Sequence, residues 1–344
     1  MRLRFLLTLI LSLAAVVSTV NAQVYGTWTG TPSATHWSYA PGVGPDTRTA
    51  TPPTSQSLIA PVFLAVPTSG NIRAFLTGST ASTGSIKVEN NILTVAANNG
   101  NSPHKISAYS IGSTTTLNSL FFTLNIPNSP TNATDGLIII GIGNNSAAVL
   151  TDNNQLTGNE LPGLFTAIQL GIGVTNITAR YRGPAAPTTH GYTNLTPLLT
   201  KATDLKFEIY SNNSTVTESY NRGGAPINIG PNIFHIYVNG TQLQTGGGTL
   251  NLPFSGEVTG GTVLNSFVFT AANSTAPSNS ALTFNITDLK VGSGVSVLPV
   301  ALTDFTAKRQ GANVKLDWAT ASEQNNQYFE LFKSKTGKDD FVSV

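Results

Sequence analysis

Residues 205–210, Leu205-Lys206-Phe207-Glu208-Ile209-Tyr210, alternate apolar and polar side chains with a period of two. Successive side chains of a β-strand point to opposite faces, so this pattern predicts a strand with one face toward a core. Residues 234–238, Phe-His-Ile-Tyr-Val, repeat the alternation and precede Asn239-Gly240, a strong two-residue hairpin signal. The sequence therefore predicts antiparallel pairing in this region.

Outward from there, many short apolar or alternating stretches are separated by turn residues. We predict strands at 85–88, 92–96, 119–126, 136–142, 165–170, 176–181, 204–210, 232–238, 265–270 and 282–291. No stretch carries the 3.6-residue period of an amphipathic helix over three turns. The fold class that follows is all-β, an antiparallel β-sandwich.

The first 22 residues have the pattern of a secretory signal peptide. Arg2 and Arg4 precede an apolar run over 5–17, and Val20-Asn21-Ala22 supplies small residues for cleavage. We therefore expect residues 1–22 to be removed and the protein to be secreted or held at the cell surface. The run is too short to span a bilayer comfortably, and we expect no transmembrane segment after cleavage.

Charge and cysteine content narrow the possible partners. The chain has 18 Lys and Arg against 16 Asp and Glu, and without Arg2 and Arg4 the balance is 16 to 16. A neutral protein has no electrostatic reason to bind nucleic acid or anionic membranes. Since cysteine is absent, we expect stability to come from core size rather than disulfides.

A change in composition predicts a domain boundary near residue 297. Residues 23–296 carry 10 basic and 10 acidic side chains in 274 positions, whereas residues 297–344 carry 6 and 6 in 48. The change follows Gly292-Ser293-Gly294 and coincides with Leu298-Pro299-Val300. We expect a sandwich domain over 23–296 and a separate segment over 297–344.

Two segments of the larger region carry a family resemblance. Residues 234–241 read FHIYVNGT, and residues 284–291 read FNITDLKV. The first resembles the strand and turn, and the second the returning last strand, of the concanavalin-A-like jelly-roll class, which includes lectins and carbohydrate-binding modules. The resemblance implies a jelly-roll fold over about 24–293 and a surface that binds carbohydrate.

The tail carries a second resemblance. Residues 298–308 read LPVALTDFTAK, and residues 314–330 read VKLDWATASEQNNQYFE. This pattern is similar to a fibronectin-III-like module frequent in Bacteroidota secreted and surface proteins, where it commonly precedes a sorting domain read by the type IX secretion system. The resemblance places Trp318 in the module's core. Because such a module needs about seven strands, we expect 297–344 to be a truncated one.

No catalytic constellation is visible. The four histidines are far apart, and none has a partner at metal-motif spacing: His36, His104, His190 and His235. Asp204 and Glu208 share a face of the predicted strand, but Lys206 lies between them, which indicates a solvated charge row rather than the carboxylate pair of a glycoside hydrolase. A Gly-x-Ser-x-Gly nucleophile elbow is also missing. We expect a protein that is not an enzyme.

Calcium is the one cofactor that the sequence suggests. Asp152 and Asn154 lie in an oxygen-rich segment with Glu160 beyond it, and Asp288 is a further candidate near the end of the last predicted strand. The alternative for residues 152–154 is an ordinary Asx-rich turn without metal.

Aromatic side chains near the mature N-terminus suggest a sugar-binding platform. Trp28, Trp37 and Tyr39 lie in a Pro- and Gly-rich segment, so we expect at least one ring to be exposed for stacking on a pyranose. The alternative is that these rings belong to the core, as most aromatics of a sandwich do.

These observations favour a non-enzymatic secreted or surface module that binds carbohydrate or another extracellular ligand, such as matrix, or acts in adhesion. Two alternatives remain at this stage: a glycan-active hydrolase or lyase with an unfamiliar site, and a purely structural spacer.

Overall fold

The computed structural model describes residues 25–51, 54–78, 84–97, 104–127, 136–144, 156, 160–184, 191–272, 282–295, 302–320, 331–334 and 342–343. These residues form strands and connecting turns, which confirms the all-β class. None of the described segments is a helix long and apolar enough to cross a membrane.

The strands follow one another as β1 Thr27–Trp28, β2 Trp37–Tyr39, β3 Asp46–Thr49, β4 Gln56–Ile59, β5 Asn71–Leu76, β6 Ser85–Glu89, β7 Ile92–Ala97, β8 His104–Tyr109, β9 Leu117–Asn125, β10 Leu137–Gly143, β11 Leu164–Ile172, β12 Asn176–Arg182, β13 Tyr192–Thr196 and β14 Leu199–Thr200. They continue as β15 Asp204–Asn212, β16 Glu218–Arg222, β17 Ala225–Ile229, β18 Ile233–Val238, β19 Thr241–Gln242, β20 Gln244–Thr245, β21 Leu252–Pro253, β22 Ser266–Ala272, β23 Leu282–Ser293, β24 Leu302–Gln310, β25 Asn313–Thr320, β26 Phe332–Lys333 and β27 Val342–Ser343.

Two large antiparallel sheets form the sandwich. The front sheet has the order β19-β18-β15-β9-β23-β7-β6-β3, with β2 also pairing with β23 and β21 with β18. The back sheet has the order β20-β13-β12-β11-β10-β22-β8-β5-β4, with β14 also pairing with β12. A third sheet of three strands, β1-β16-β17, is called the cap sheet below.

The main core lies between the front and back sheets and draws on the inward positions of both. Phe207 of β15 stacks on Phe122 of β9 with ring centroids 4.8 Å apart, and Phe122 meets Phe269 of β22 edge to face at 4.9 Å. The alternation in residues 205–210 therefore has its predicted consequence, because Phe207 and its alternate neighbours face this core. Each such side chain contributes roughly 1.5–3 kcal/mol on burial.

The outer face of the front sheet is not simply solvated. The cap sheet covers its β9, β15 and β18 strands and encloses a second apolar cluster that includes Trp28, Phe121, Tyr210 and Tyr220. Strands of the front sheet in this area therefore carry large side chains on both faces, as strands buried on two sides do.

A β-bulge in β23 positions the surface discussed below. The core-facing residues of β23 are even-numbered as far as Ile286 and odd-numbered from Leu289 onward. The register with β9 shifts between Thr287 and Lys290, and Asp288 has a positive φ of 54°. One extra residue therefore enters the strand here, which points both Thr287 and Asp288 outward.

The C-terminal segment forms a hairpin of β24 and β25 and a short pair of β26 and β27. Trp318 of β25 is 40% exposed, so its predicted position in a module core is wrong. The physical reason is that a two-stranded hairpin buries little of either face, and most residues of β25 are exposed.

Candidate functional site

The three aromatic candidates lie in the interior. The exposed fractions of Trp28, Trp37 and Tyr39 are 2%, 2% and 7%. Trp28 Nε1 donates to Ser119 Oγ at 2.9 Å, and the rings of Trp37 and Tyr39 stack with centroids 5.8 Å apart. The expectation that at least one ring presents an open face is therefore wrong. Large apolar rings gain more from burial between layers than from exposure on a loop.

The predicted solvated charge row on β15 also needs correction. The side chain of Glu208 is 1% exposed, and its two oxygens accept hydrogen bonds of 2.9 and 3.0 Å from Arg222. The hydroxyl of Tyr210 donates to the same carboxylate at 2.8 Å. Lys206 remains exposed, as predicted. The sequence pattern misleads at Glu208 because Arg222 comes from the cap sheet, which covers this part of β15.

His235 belongs to the same buried cluster. Its Nε2 lies 2.6 Å from Asn251 Oδ1, and its Nδ1 lies 2.7 Å from the hydroxyl of Tyr220. A carboxamide oxygen only accepts, so Nε2 carries the proton and Nδ1 accepts from Tyr220. Burial lowers the pKa of His235, opposed by the Asn251 hydrogen bond. His235 is thus a satisfied interior histidine that connects β18 to the cap sheet.

This buried cluster contains several titratable side chains, but their arrangement is suited to holding the cap sheet on the front sheet. Burial raises the pKa of Tyr210 and of Tyr220, so both hydroxyls keep their protons over the physiological range. Arg222 lies 4.0 Å from the ring centroid of Tyr237 and also neutralises Glu208. The polar groups are engaged with one another, and the rings are closed off from solvent.

A second buried ion pair lies on the outer face of the back sheet. Arg182 contacts Glu257 through hydrogen bonds of 2.7 and 2.8 Å, with side chains 1% and 6% exposed. The backbone N–H of Leu161 also donates to Glu257. Burial raises the pKa of the neighbouring Tyr192 to about 12. Such a pair fixes a loop to the sheet, and its charged groups bond to each other rather than to a ligand.

An open hollow of about 340 Å³ lies at the bulge of β23. Its polar lining comes from three parts of the chain: Ser38 of β2, Asn90 and Asn91 of the β6–β7 turn, and Thr287, Asp288 and Lys290 of β23. Tyr39 and Leu289, which are both buried, complete the lining. Of the three predicted aromatic residues, Tyr39 is the one that the lining of the hollow includes.

The hollow exists because β23 changes partners. The ladder with β7 ends at Ile286, and the ladder with β2 begins at Leu289. Thr287 and Asp288 therefore face a gap between two successive neighbouring strands, and backbone polar groups become available there. Strained residues and bulges cluster at ligand sites, where the surrounding structure holds them in place.

The polar side chains of the hollow are largely unpaired. The backbone N–H groups of Asn90 and Asn91 donate to the carbonyls of Val43 and Gly42. Among the described residues, the side-chain amides of Asn90 and Asn91 make no hydrogen bond. The closest partner of the Asp288 carboxylate is the Thr123 hydroxyl at 3.4 Å. The surface thus offers two amides and a carboxylate to a ligand.

Lys290 adds a cation to this surface. Its ammonium lies 5.0 Å from the ring centroid of Tyr25 and forms no ion pair within the described segments. Burial, together with the charges of Asp288 and Glu208, raises the pKa of Tyr25. The lining residues of the hollow therefore include both donors and acceptors, and their formal charges, one positive and one negative, balance.

The calcium candidates have separate outcomes. Asp152 and Asn154 lie outside the described residues. Asp288 lies in the hollow, where it is the one carboxylate among the lining residues. In the described part of the chain, no group of three or more His, Cys, Asp or Glu side chains could hold a metal ion. Ca²⁺ takes six to eight oxygen ligands, so Asp288 alone does not make a calcium site.

A second groove, of about 310 Å³, is more apolar. Leu198, Leu205, Val238 and Leu243 line it together with threonines and Asn239. No charged side chain lines it, and it offers fewer orienting groups than the hollow.

Comparison with known proteins gives distant similarities in fold. No family model matches the chain, and no curated protein matches it. A sialidase superposes with a TM-score of 0.39 at 11% identity over 63% of this chain, which spans 16% of the sialidase. An alginate lyase from a Chlorella virus gives 0.40 at 13% identity over 65% of this chain and 93% of the lyase. The binding domain of botulinum neurotoxin serotype D gives 0.35 at 11% identity over 84% of this chain and 67% of that domain. Likenesses this distant identify neither a family nor a ligand.

Proposed function

We propose that this protein is a non-enzymatic secreted or surface module that binds carbohydrate in the hollow at the β23 bulge. The observation that carries the proposal is Asp288, held at positive φ in a gap of the sheet and surrounded by unpaired amides and an ammonium. An exposed acidic residue at positive φ, beside two amides that make no hydrogen bond within the described residues, is explained by a ligand that uses it.

The chemistry of the lining fits a hydroxyl-rich ligand. A carboxylate accepts two hydrogen bonds from neighbouring hydroxyls, a carboxamide both donates and accepts, and an ammonium donates three. Asp288, Asn90, Asn91 and Lys290 together supply all three kinds of group. Neighbouring hydroxyls of a sugar ring present donors and acceptors side by side, which matches such a surface better than an apolar ligand would.

Binding without turnover is part of the proposal. Glycoside hydrolysis by the usual route needs two carboxyl groups, about 5–9.5 Å apart, flanking the scissile bond. The lining residues of the hollow include one, Asp288. The export of the protein is likewise proposed, and its support is the amino-terminal sequence pattern together with the resemblance of residues 298–330 to surface-protein modules.

The direct test is a glycan array, probed with the mature full chain, that spans plant, algal and host polysaccharides. Hits are then titrated by calorimetry with added calcium and with EDTA. We expect binding that EDTA leaves unchanged, and loss of at least tenfold in affinity for Asp288→Asn, since a hydrogen bond to a charged group contributes about 1.5–3 kcal/mol.

The matched control is Asp304→Asn, which removes the same charge from an exposed position of β24. Asn tolerates positive φ, so Asp288→Asn keeps the bulge and changes only the charge. Equal affinity of both variants and the natural chain would contradict the site. An array without any bound glycan would contradict the ligand class, and conversion of a bound glycan into smaller products would contradict the absence of turnover.

A further inference from the structure

We propose that the hollow is one end of a longer trough that runs across the strands of the front sheet and holds a linear oligosaccharide. This inference rests on the proposed function and adds the length and direction of the ligand. It is based on two observations: the register of three neighbouring strands, and the pattern of hydrogen bonds among their outward side chains.

The register sets up a straight polar row. Thr287 of β23 pairs with Thr123 of β9, and Thr123 pairs with Lys206 of β15. Lys206 is joined to Asn239 by two hydrogen bonds, from its own N–H to Asn239 Oδ1 at 2.8 Å and from Asn239 N–H to its carbonyl at 3.0 Å. Directly paired residues share one face of a sheet, so the side chains of Thr287, Thr123 and Lys206 point outward in a line that starts at the hollow, and Asn239 lies at the far end of this line.

The row forms a floor with higher ends. Thr123 is 8% exposed and lies low between the neighbouring side chains, whereas Lys206 and Asn239 are exposed. The Thr123 hydroxyl donates to Asp288, which links the floor to the hollow. Lys206 makes no ion pair in the described part of the chain, so its ammonium is available to a ligand.

The rows on either side are closed by internal hydrogen bonds. On the side of the cap sheet, the next outward residue of β15 is Glu208, which Arg222 covers. On the other side, Asn125 donates to Asp204 at 2.8 Å, and the Thr94 hydroxyl donates to Asn285 at 2.8 Å. Polar groups that satisfy one another have little to offer a ligand, so the path follows the row between them, where the Lys206 ammonium at one end and the Asn90 and Asn91 amides at the other are unpaired among the described residues.

The length of the row determines the class of ligand. Four steps separate Asn239 from the β6–β7 turn, through Lys206, Thr123 and Thr287, and neighbouring strands are about 4.8 Å apart, which gives about 19 Å. A span of that size exceeds a single pyranose ring or a disaccharide. The ligand that uses the whole row is therefore a linear chain of several sugars lying perpendicular to the strands.

The test measures affinity against ligand length. The full mature chain is titrated with ladders from monosaccharide to hexasaccharide of β-1,3-glucose, β-1,4-glucose, β-1,4-mannose and β-1,4-mannuronate. We expect affinity in at least one series to rise up to about the tetrasaccharide and then to level off, since further rings extend beyond the row of about 19 Å.

Variants separate the two ends of the row. Lys206→Gln is expected to lower hexasaccharide affinity roughly fivefold and to leave disaccharide affinity unchanged, because Lys206 lies away from the hollow. Asp288→Asn is expected to weaken every length. Lys315→Gln, which removes the same charge from the exposed face of β25, is the control and is expected to change neither.

The outcomes distinguish the two proposals. Suppose that Asp288→Asn weakens binding. If disaccharide and hexasaccharide then bind with equal affinity, or if Lys206→Gln changes the affinity at no length, the trough is overturned and the hollow remains as the binding site. No binding of any ladder by the natural chain, or binding that Asp288→Asn does not weaken, would overturn the hollow and the trough with it.

Discussion

The rings of Tyr210 and Tyr220 lie parallel, with centroids 3.9 Å apart and 4° between their planes. Tyr210 belongs to β15 of the front sheet and Tyr220 to β16 of the cap, and both are fully buried. Trp28 meets both rings edge to face, at 6.2 and 5.7 Å. The cap is therefore continuous with the folded core, and we expect it to unfold together with the sandwich.

Glu208→Gln tests how the cap is held. The substitution keeps the shape of the side chain but removes the charge that faces Arg222, and it leaves that guanidinium with weaker partners. We expect a loss of about 2–3 kcal/mol in unfolding free energy, at the lower end for a buried pair because 22% of Arg222 remains exposed. Urea unfolding measures it. Lys206→Gln, on the same strand but exposed, should stay within about 0.5 kcal/mol, and equal stability of both variants would contradict a structural role for the pair.

Gly26→Ala tests how closely the N-terminal segment approaches the sheet. The Gly26 N–H donates to the Tyr210 hydroxyl at 2.8 Å. A Cβ on residue 26 would lie 2.5 Å from that oxygen and 2.9 Å from the carbonyl oxygen of Asn221, so something must shift. We expect a loss of about 1–3 kcal/mol, as for other overpacked sites. Gly246→Ala is the control, because its Cβ would meet no atom within 4 Å. A neutral Gly26→Ala would show that the segment does not pack as described.

Much of this fold is predictable from the sequence, and the omissions have a physical pattern. All ten predicted strands are present, and their ends shift by up to two residues. The missed strands include Asp46–Thr49, a short polar edge strand, and His104–Tyr109, whose outward residues are buried as well. An edge strand needs no apolar alternation, and a strand covered on both faces loses it.

His104 makes stability depend on pH. Burial lowers its pKa to about 4, while an unfolded histidine titrates near 6.5. Between these values the unfolded chain binds more protons than the folded one, so the unfolding free energy falls as the pH is lowered from about 6.5 to about 4. The loss from this group is at most about 3 kcal/mol. Imidazole resonances followed by NMR check the cause directly, and a His104 midpoint near 6.5 would refute it.

The boundary near residue 297 leads to a truncation test. Every strand of the front, back and cap sheets ends by Ser293, and β24 pairs with β25. We expect a chain that ends at residue 296 to keep its melting temperature within about 2 °C, a shift that corresponds to less than about 1 kcal/mol in a domain of this size. A larger drop would show that residues 297–344 contribute to the sandwich.

The candidate site was harder to foresee than the fold. The position of Asp288 near the end of a predicted strand suggests a metal ligand, whereas no sequence pattern singles out Asn90 or Asn91. A usable signal was present in β23, where apolar residues step by two through Leu282, Phe284 and Ile286 and then by three to Leu289. That break in the period indicates a bulge. Which turn faces the bulge depends on strand order, and no local pattern encodes it.

Asp288 should separate binding from stability. Its φ of 54° is costly for most side chains but free for glycine. Replacing it with glycine relieves that strain, which stabilises the folded state, but it also raises the entropy of the unfolded chain. The two effects on the unfolding free energy nearly cancel, so we expect the unfolding free energy of Asp288→Gly to lie within about 0.5 kcal/mol of that of the natural protein. Asp288→Ala keeps a Cβ and loses the short polar group that tolerates this conformation, and it should be less stable by about 1 kcal/mol. Both variants lack the carboxylate and should bind glycan equally poorly. Urea unfolding and calorimetry on the same samples give the two readouts. If affinity instead followed stability, with Asp288→Gly binding as well as the natural chain, the bulge would serve the fold of β23 and not a ligand.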